Sequence, residues 1–344
     1  MLRMFASIAL VAVAASAQAE KATLKVGADA PPLAIAKWVK GDAVTLEKGK
    51  IYVVEFWATW CGPCIRGMPH LSELQEQYKG KVTFVGVTKE DPNNALDAVE
   101  KMVQEKGPGM GYTVAWDDAG KTYAAYMDAS GQRGIPRSFV VDGNGKIAYI
   151  GHPVTLDFVL SRVAAGTWNA EKGVAELGAA FKRGQELFDM DRTMTLQALP
   201  AFEKEHPDVA IAFESAKFQL FLLSRKTEAA TALGAKMMEK GVKYNSPNLL
   251  NEVAWTIVDP ELDVPNRDLD LAMKAAEKAV ELSKGDAAII DTLARVYHWR
   301  GDLEKAIELQ TKAVEKAQGG DPDNLISLQE TLDQYKAETA AKKE

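Results

Sequence analysis

The hydrophobic pattern of the chain changes near residue 168. Before that point, short continuous apolar runs alternate with amphipathic ones. Residues 51–57 are a β-branched and aromatic run, which predicts a buried strand, and residues 81–87 predict a second. Apolar positions at Leu71, Leu74 and Tyr78 predict a helix. Leu96, Val99 and Val103 share one side of another over residues 95–106, which Gly107-Pro108-Gly109 stops. Residues 138–142 and 146–150 flank Gly143-Asn144-Gly145 and predict a hairpin, and residues 156–164 a closing helix. Strand, helix and strand followed by hairpin and helix indicate an α/β domain with a mixed sheet over residues 24–168.

After residue 168 the strand pattern stops, and alanine, leucine, glutamate and lysine dominate. Residues 288–299 and 302–317 predict two amphipathic helices joined at Arg300-Gly301. Ala272 and Ala306 lie 34 residues apart, as do Ala279-Val280-Glu281 and Ala313-Val314-Glu315. With Leu293, Ala294, Tyr297 and Gly301, these positions resemble the tetratricopeptide repeat. Asn251 to Trp255 resemble the first helix of a preceding unit, set off from its second helix by an insertion over residues 259–266. Residues 170–340 are therefore expected to form an all-α, TPR-like repeat domain.

Composition narrows the chemistry. With 344 residues the chain has room for about two domains of ~150 residues each. It carries two cysteines, which excludes a disulfide-stapled scaffold and a four-cysteine metal site. A net charge of −7 argues against nucleic acid as a partner. At the start, Arg3, an apolar stretch from Phe5 to Ala17 and the Ala17-Gln18-Ala19 site read as a secretory signal peptide over residues 1–19. Retention of that segment as an anchor is the alternative, although it is short for a ~30 Å hydrocarbon layer. The expected location is the periplasm, as a soluble protein after cleavage near Ala19.

Trp60-Cys61-Gly62-Pro63-Cys64 follows directly on the buried strand, where a helix starts. That position puts Cys61 at a helix N-terminus, exposed, with the helix dipole and free N–H groups favouring its thiolate. Cys64, one turn further in, is shielded and close enough for a disulfide. One sulfur can attack a client disulfide and the other can resolve the mixed disulfide. A zinc half-site would need more ligands than His70, and a c-type haem site would need histidine where Ile65 stands. No cofactor beyond the redox-active Cys61–Cys64 pair is expected.

The segment from Glu55 through Trp60 to Cys64 resembles the active site of thioredoxin-fold proteins. The leader, Met68-Pro69 and the helix over residues 95–106 make residues 24–166 most similar to the TlpA/ResA branch of periplasmic thioredoxin-like reductases. Gly67 departs from that branch, many members of which carry an acidic residue there. The resemblance implies that Pro136 is a cis-proline and that the backbone of Ile135 pairs with an extended substrate. It places Glu55 at a buried acidic position, with a raised pKa and a proton-accepting role toward Cys64. Pro69 corresponds to the proline that kinks the active-site helix. Trp60, Gly62 and Pro63 join Ile135 and Pro136 as the expected substrate surface.

Gly62-Pro63 and Ile135 resemble the reducing members, so the expectation is reduction of disulfides in periplasmic proteins, recharged by a membrane electron donor. The repeat domain is expected to dock a protein partner, with a helical lid or a self-association surface as the alternative. A repeat-based adaptor for cytochrome or metalloprotein maturation is a second reading. A net dithiol oxidant or a peroxidase is a third, and the vicinal cysteines suit a peroxidase poorly.

Overall fold

A computed structural model describes residues 22–342 of the chain; the expected signal peptide lies outside them. The chain divides into two compact units, and the division does not follow chain order. Among the described residues, one unit holds those up to Cys61, Lys79–Glu100 and Tyr112–Pro153. The other holds Gly62–Tyr78, Lys101–Gly111 and the described residues from Val154 onward.

In the first unit β1 (Ile35–Lys40), β2 (Ile51–Phe56), β3 (Val82–Thr88), β4 (Thr113–Asp117), β5 (Arg137–Val141) and β6 (Ile147–Gly151) form one sheet, in the order β1-β4-β3-β2-β5-β6. β2, β3 and β4 are parallel to one another. β1, β5 and β6 each run antiparallel to their neighbour. β2 and β3 are the two runs the sequence marks as buried, which is what central parallel strands require. On one face of β2, Tyr52, Val54 and Phe56 join Val85, Val87 and Phe139 in a core. Phe139 stands edge-on to Phe56 and to Tyr126, with ring centroids 5.6 and 5.2 Å away. Tyr126 lies in a π-turn (Ala124–Asp128) after the short helix α3 (Lys121–Tyr123). Its hydroxyl donates to the Pro31 carbonyl at 2.6 Å, which satisfies its one polar group. In the hairpin turn, Asp142 Oδ1 accepts the N–H groups of Asn144 and Lys146, both at 2.9 Å. β1 and β4 escape the hydrophobic pattern. β1 is an edge strand with Ala36 and Lys37 exposed and two register shifts against β4, so it shows neither continuous burial nor clean alternation.

The second unit is helical. It contains α1 (Gly62–Gln77), the last turns of α2 (Leu96–Lys106) and α4 (Leu156–Ala164). It continues with α5 (Ala170–Phe188), α6 (Arg192–Glu205), α7 (Pro207–Ala210), α8 (Glu214–Leu223) and α9 (Thr227–Lys243). The last five are α10 (Pro247–Val258), α11 (Leu269–Ser283), α12 (Ala287–Trp299), α13 (Leu303–Ala317) and α14 (Pro322–Ala341). α1 starts at Gly62, well before the apolar spacing that begins at Leu71. Gly62, Pro63, Gly67 and Pro69 mask its first turns in the sequence, although proline in a first turn lacks only an N–H that has no intrahelical partner anyway.

Alanines in register build the pairs α10/α11 and α12/α13. Ala272, Ala276 and Ala279 of α11 and Ala306 and Ala313 of α13 are fully buried, where a larger side chain would hold the helices apart. The stretch between α10 and α11 is closed by Arg267, which donates to the Leu262 carbonyl at 2.8 Å and lies over the Trp299 ring at 4.0 Å.

This unit also binds α1 and α2 to the later helices. Lys240 and Lys243 of α9 pair with Glu73 and Glu76 of α1. The Tyr244 hydroxyl donates to Glu76 at 2.8 Å, and Asn245 Nδ2 donates to the Glu105 carbonyl at 2.8 Å. Gly109 has no room for a side chain, because a Cβ there would lie 2.4 Å from the Tyr244 carbonyl oxygen. On α1, His70 Nε2 lies 2.8 Å from Asp157 Oδ2 of α4. Burial of His70 disfavours its charge, but its bond to Asp157 and the nearby Glu73 carboxylate, 3.9 Å away, outweigh burial and raise its pKa to about 9. The chain is thus a thioredoxin-like mixed sheet with helices, followed in sequence by a large all-helical region.

Candidate active site

β2 ends at Phe56, and the next five residues deliver the first cysteine. Trp57 N–H donates to the Val87 carbonyl at 3.2 Å, and Cys61 N–H turns back to the Ala58 carbonyl at 3.1 Å. α1 opens at Gly62, so Cys61 lies immediately before a helix N-terminus and Cys64 in its first turn. The two sulfurs are joined in a disulfide. Position at the helix start predicts an exposed Cys61 and a shielded Cys64. In this oxidised form the contrast is absent, since each is only 3% exposed. The bond to Cys64 and the turn onto Ala58 hold Cys61 in, and Trp60, at 54% exposure, and Pro63 form the visible surface of the motif.

Glu55 lies on β2 opposite the aromatic core and is buried, with 2% of its surface exposed. It is in register with Gly86 of β3 and Ser138 of β5, and Ser138 Oγ donates to Glu55 Oε2. Burial pushes its pKa up to about 8, although the Ser138 hydrogen bond and the Arg137 charge pull it down. Gly86 is required beside it, because a Cβ there would meet the Tyr112 ring at 2.9 Å and Trp57 Nε1 at 3.2 Å.

The Ile135–Pro136 peptide is cis. Ile135 and Trp60 line one pocket together with Phe56, Trp57 and Val87. Arg137 is partly buried, which lowers its pKa.

A clip at residues 91–94, which the sequence reading missed, holds the cysteine loop. Asn94 is 1% exposed. Its Oδ1 accepts from the Thr59 N–H at 2.9 Å and the Thr59 hydroxyl at 2.8 Å. Its Nδ2 donates to Thr88 Oγ1 at 2.9 Å and to the Lys89 carbonyl at 2.6 Å. The backbones of Asp91 and Asn94 pair with each other. Asp91 then accepts the Trp60 indole N–H at 3.0 Å, which fixes the exposed ring. The sequence signal was a turn cluster, Asp91-Pro92-Asn93-Asn94, with nothing to show that it closes on Thr59.

Residues 25–158 match the Redoxin family model. Protein FixW of Rhizobium leguminosarum is 34% identical over 154 residues, which are 43% of this chain and 70% of that protein. Thiol-disulfide oxidoreductase ResA of Bacillus thuringiensis is 32% identical over 38% of this chain and 70% of its own. A putative thiol:disulfide interchange protein DsbE from Chlorobium tepidum is 28% identical over 38% of this chain and 86% of its own, with a TM-score of 0.31. The region matched by the Redoxin model holds all six strands, the cysteine pair and Glu55, and ends within α4. By that shared sequence the chain belongs to the redoxin family of thiol-disulfide oxidoreductases.

Proposed function

We propose that this protein reduces disulfides in extracytoplasmic client proteins through a Cys61/Cys64 dithiol cycle. The observation that carries the reading is the disulfide at the start of α1 in a chain that also buries Glu55 and raises its pKa to about 8. In the cycle the Cys61 thiolate attacks a client disulfide, one client sulfur leaves as thiolate, and a mixed disulfide forms. Cys64 then gives its proton to the Glu55 carboxylate and attacks Cys61. The second client thiolate leaves, the Cys61–Cys64 disulfide closes, and two electrons have passed to the client. An external dithiol donor at the membrane returns them. Trp60, Gly62, Pro63, Ile135 and Pro136 form the client surface, with the Ile135 backbone pairing to an extended client segment.

In this reading residues 1–19 export the chain and residues 170–340 form TPR-like repeats that dock a protein partner. The relatives named for disulfide exchange support the chemistry, and no helix among the described residues is long and apolar enough to cross a membrane.

The test is a trap in the full chain. Cys64→Ser stalls mixed disulfides on Cys61, and mass spectrometry of the adducts names the clients. Cys61→Ser abolishes both adducts and insulin reduction. Undiminished insulin reduction by Cys61→Ser overturns the reading.

A further inference from the structure

The pocket between Trp60 and Ile135 has charged groups of both signs at its rim, but the two signs are not equally available. Asp117 is 1% exposed, and its carboxylate accepts the N–H groups of Thr122 and Tyr123 at 2.9 and 2.8 Å. It is spent on closing the turn of α3. Asp91 holds the Trp60 indole and the Asn93 N–H, the latter at 2.8 Å. Both carboxylates on the pocket wall therefore have their oxygens engaged from within the protein. The cations differ. Lys89 and Arg133 line the same pocket, and neither forms an ion pair among the described residues. Lys89 Nζ donates to the Glu90 carbonyl at 3.4 Å and rests 4.9 Å above the centre of the Tyr123 ring, two uncharged partners that orient the ammonium without neutralising it. Arg133 is exposed, two residues before Ile135. The walls are also fixed, since Asp91 pins one of them, the indole.

We propose that this pocket is a client subsite for an acidic side chain next to the client's reactive cysteine, recognised by Lys89 and Arg133 beside a fixed Trp60. The proposal rests on the disulfide-exchange reading above and names the class of client that reading leaves open. A chain segment pairing at Ile135 would carry the side chain flanking its cysteine past Trp60 and onto the two cations. A client lysine there would meet two like charges and carboxylates already occupied. The chain as a whole is acidic, at −7, whereas the two cations of this pocket balance its two carboxylates.

Two cyclic peptide disulfides, identical except for Glu or Lys beside one cysteine, test the proposal. Pre-reduced full-length protein is mixed with each, and the second-order rate of its own oxidation is followed in single turnover. The Glu peptide should react about fivefold faster at low salt, and the preference should shrink toward unity at high salt as the charges are screened. The double variant Lys89→Glu/Arg133→Glu, shown to be folded by circular dichroism, should invert the preference. Equal rates for the two peptides with the parent protein overturn the proposal, as does an unchanged preference in the double variant. If the parent protein reduces neither peptide, the exchange reading falls and takes the subsite with it.

Discussion

Glu55→Gln provides a direct measurement of what burial does to the Glu55 carboxyl. In the folded protein its pKa rises from 4.5 to about 8 because burial penalises the charged form. The sign follows from linkage. Between these pH values the native state holds a proton that the unfolded chain has released, so stability falls as pH rises. At about 1.4 kcal/mol per pH unit, the parent should lose roughly 3 kcal/mol between pH 5 and 7.5 through this group alone. Glutamine is isosteric, uncharged throughout, and keeps an oxygen for the Ser138 hydroxyl. The variant should therefore be close to the parent at pH 5 and progressively more stable as pH rises. Urea unfolding of both oxidised proteins at the two pH values, read by tryptophan fluorescence, gives the double difference. A stability gap that does not grow between pH 5 and 7.5 refutes the reasoning. In the proposed cycle the same substitution should slow the attack of Cys64 on the Cys61–client mixed disulfide, on the order of 10²-fold, because it removes the proposed proton acceptor.

Two further outcomes follow from the same structure. His70, with its pKa raised to about 9 by Asp157 and Glu73, contributes stability that is fully present below about pH 6.5 and lost as pH rises through about 9. His70→Gln should remove up to about 3 kcal/mol of it, and unfolding curves of parent and variant should converge at pH 9.5. Asn94→Ala leaves the Thr59 N–H, the Thr59 hydroxyl and the Lys89 carbonyl without their partner, and should cost about 2–4 kcal/mol in urea unfolding. Asn94→Asp, which keeps the acceptor for Thr59 but loses the donor, should fall between parent and alanine variant.

Much of the site was legible because its chemistry is local in sequence. Cys61, Cys64 and Trp60 sit in one motif, and Glu55 lies within the apolar run 51–57 that predicts a buried strand. The cis-proline at Pro136 came through resemblance alone. The buried partners were not legible. Ser138 is 83 residues from Glu55 in the chain, Asn94 is 35 from Thr59, and Tyr244 is 168 from Glu76. No period or spacing encodes such pairs, because each depends on which strand or helix arrives opposite. The exposure expected for Cys61 failed for a related reason. Placement at a helix N-terminus is a local property, but access to the sulfur depends on the disulfide and on what the loop folds against.

The sequence by itself determined the two-part architecture, the central strands, the cysteine motif and the 34-residue spacing of alanines. Each is written in local composition or period, and local patterns bury the same surface in any arrangement of the rest. Only the tertiary structure decided that α1 and the end of α2 belong with the later helices as one compact unit. Paired charges on α9, the Tyr244 hydroxyl and the close approach at Gly109 make that join. Ion pairs and backbone contacts of this kind have no hydrophobic period, so nothing in the linear pattern announces them.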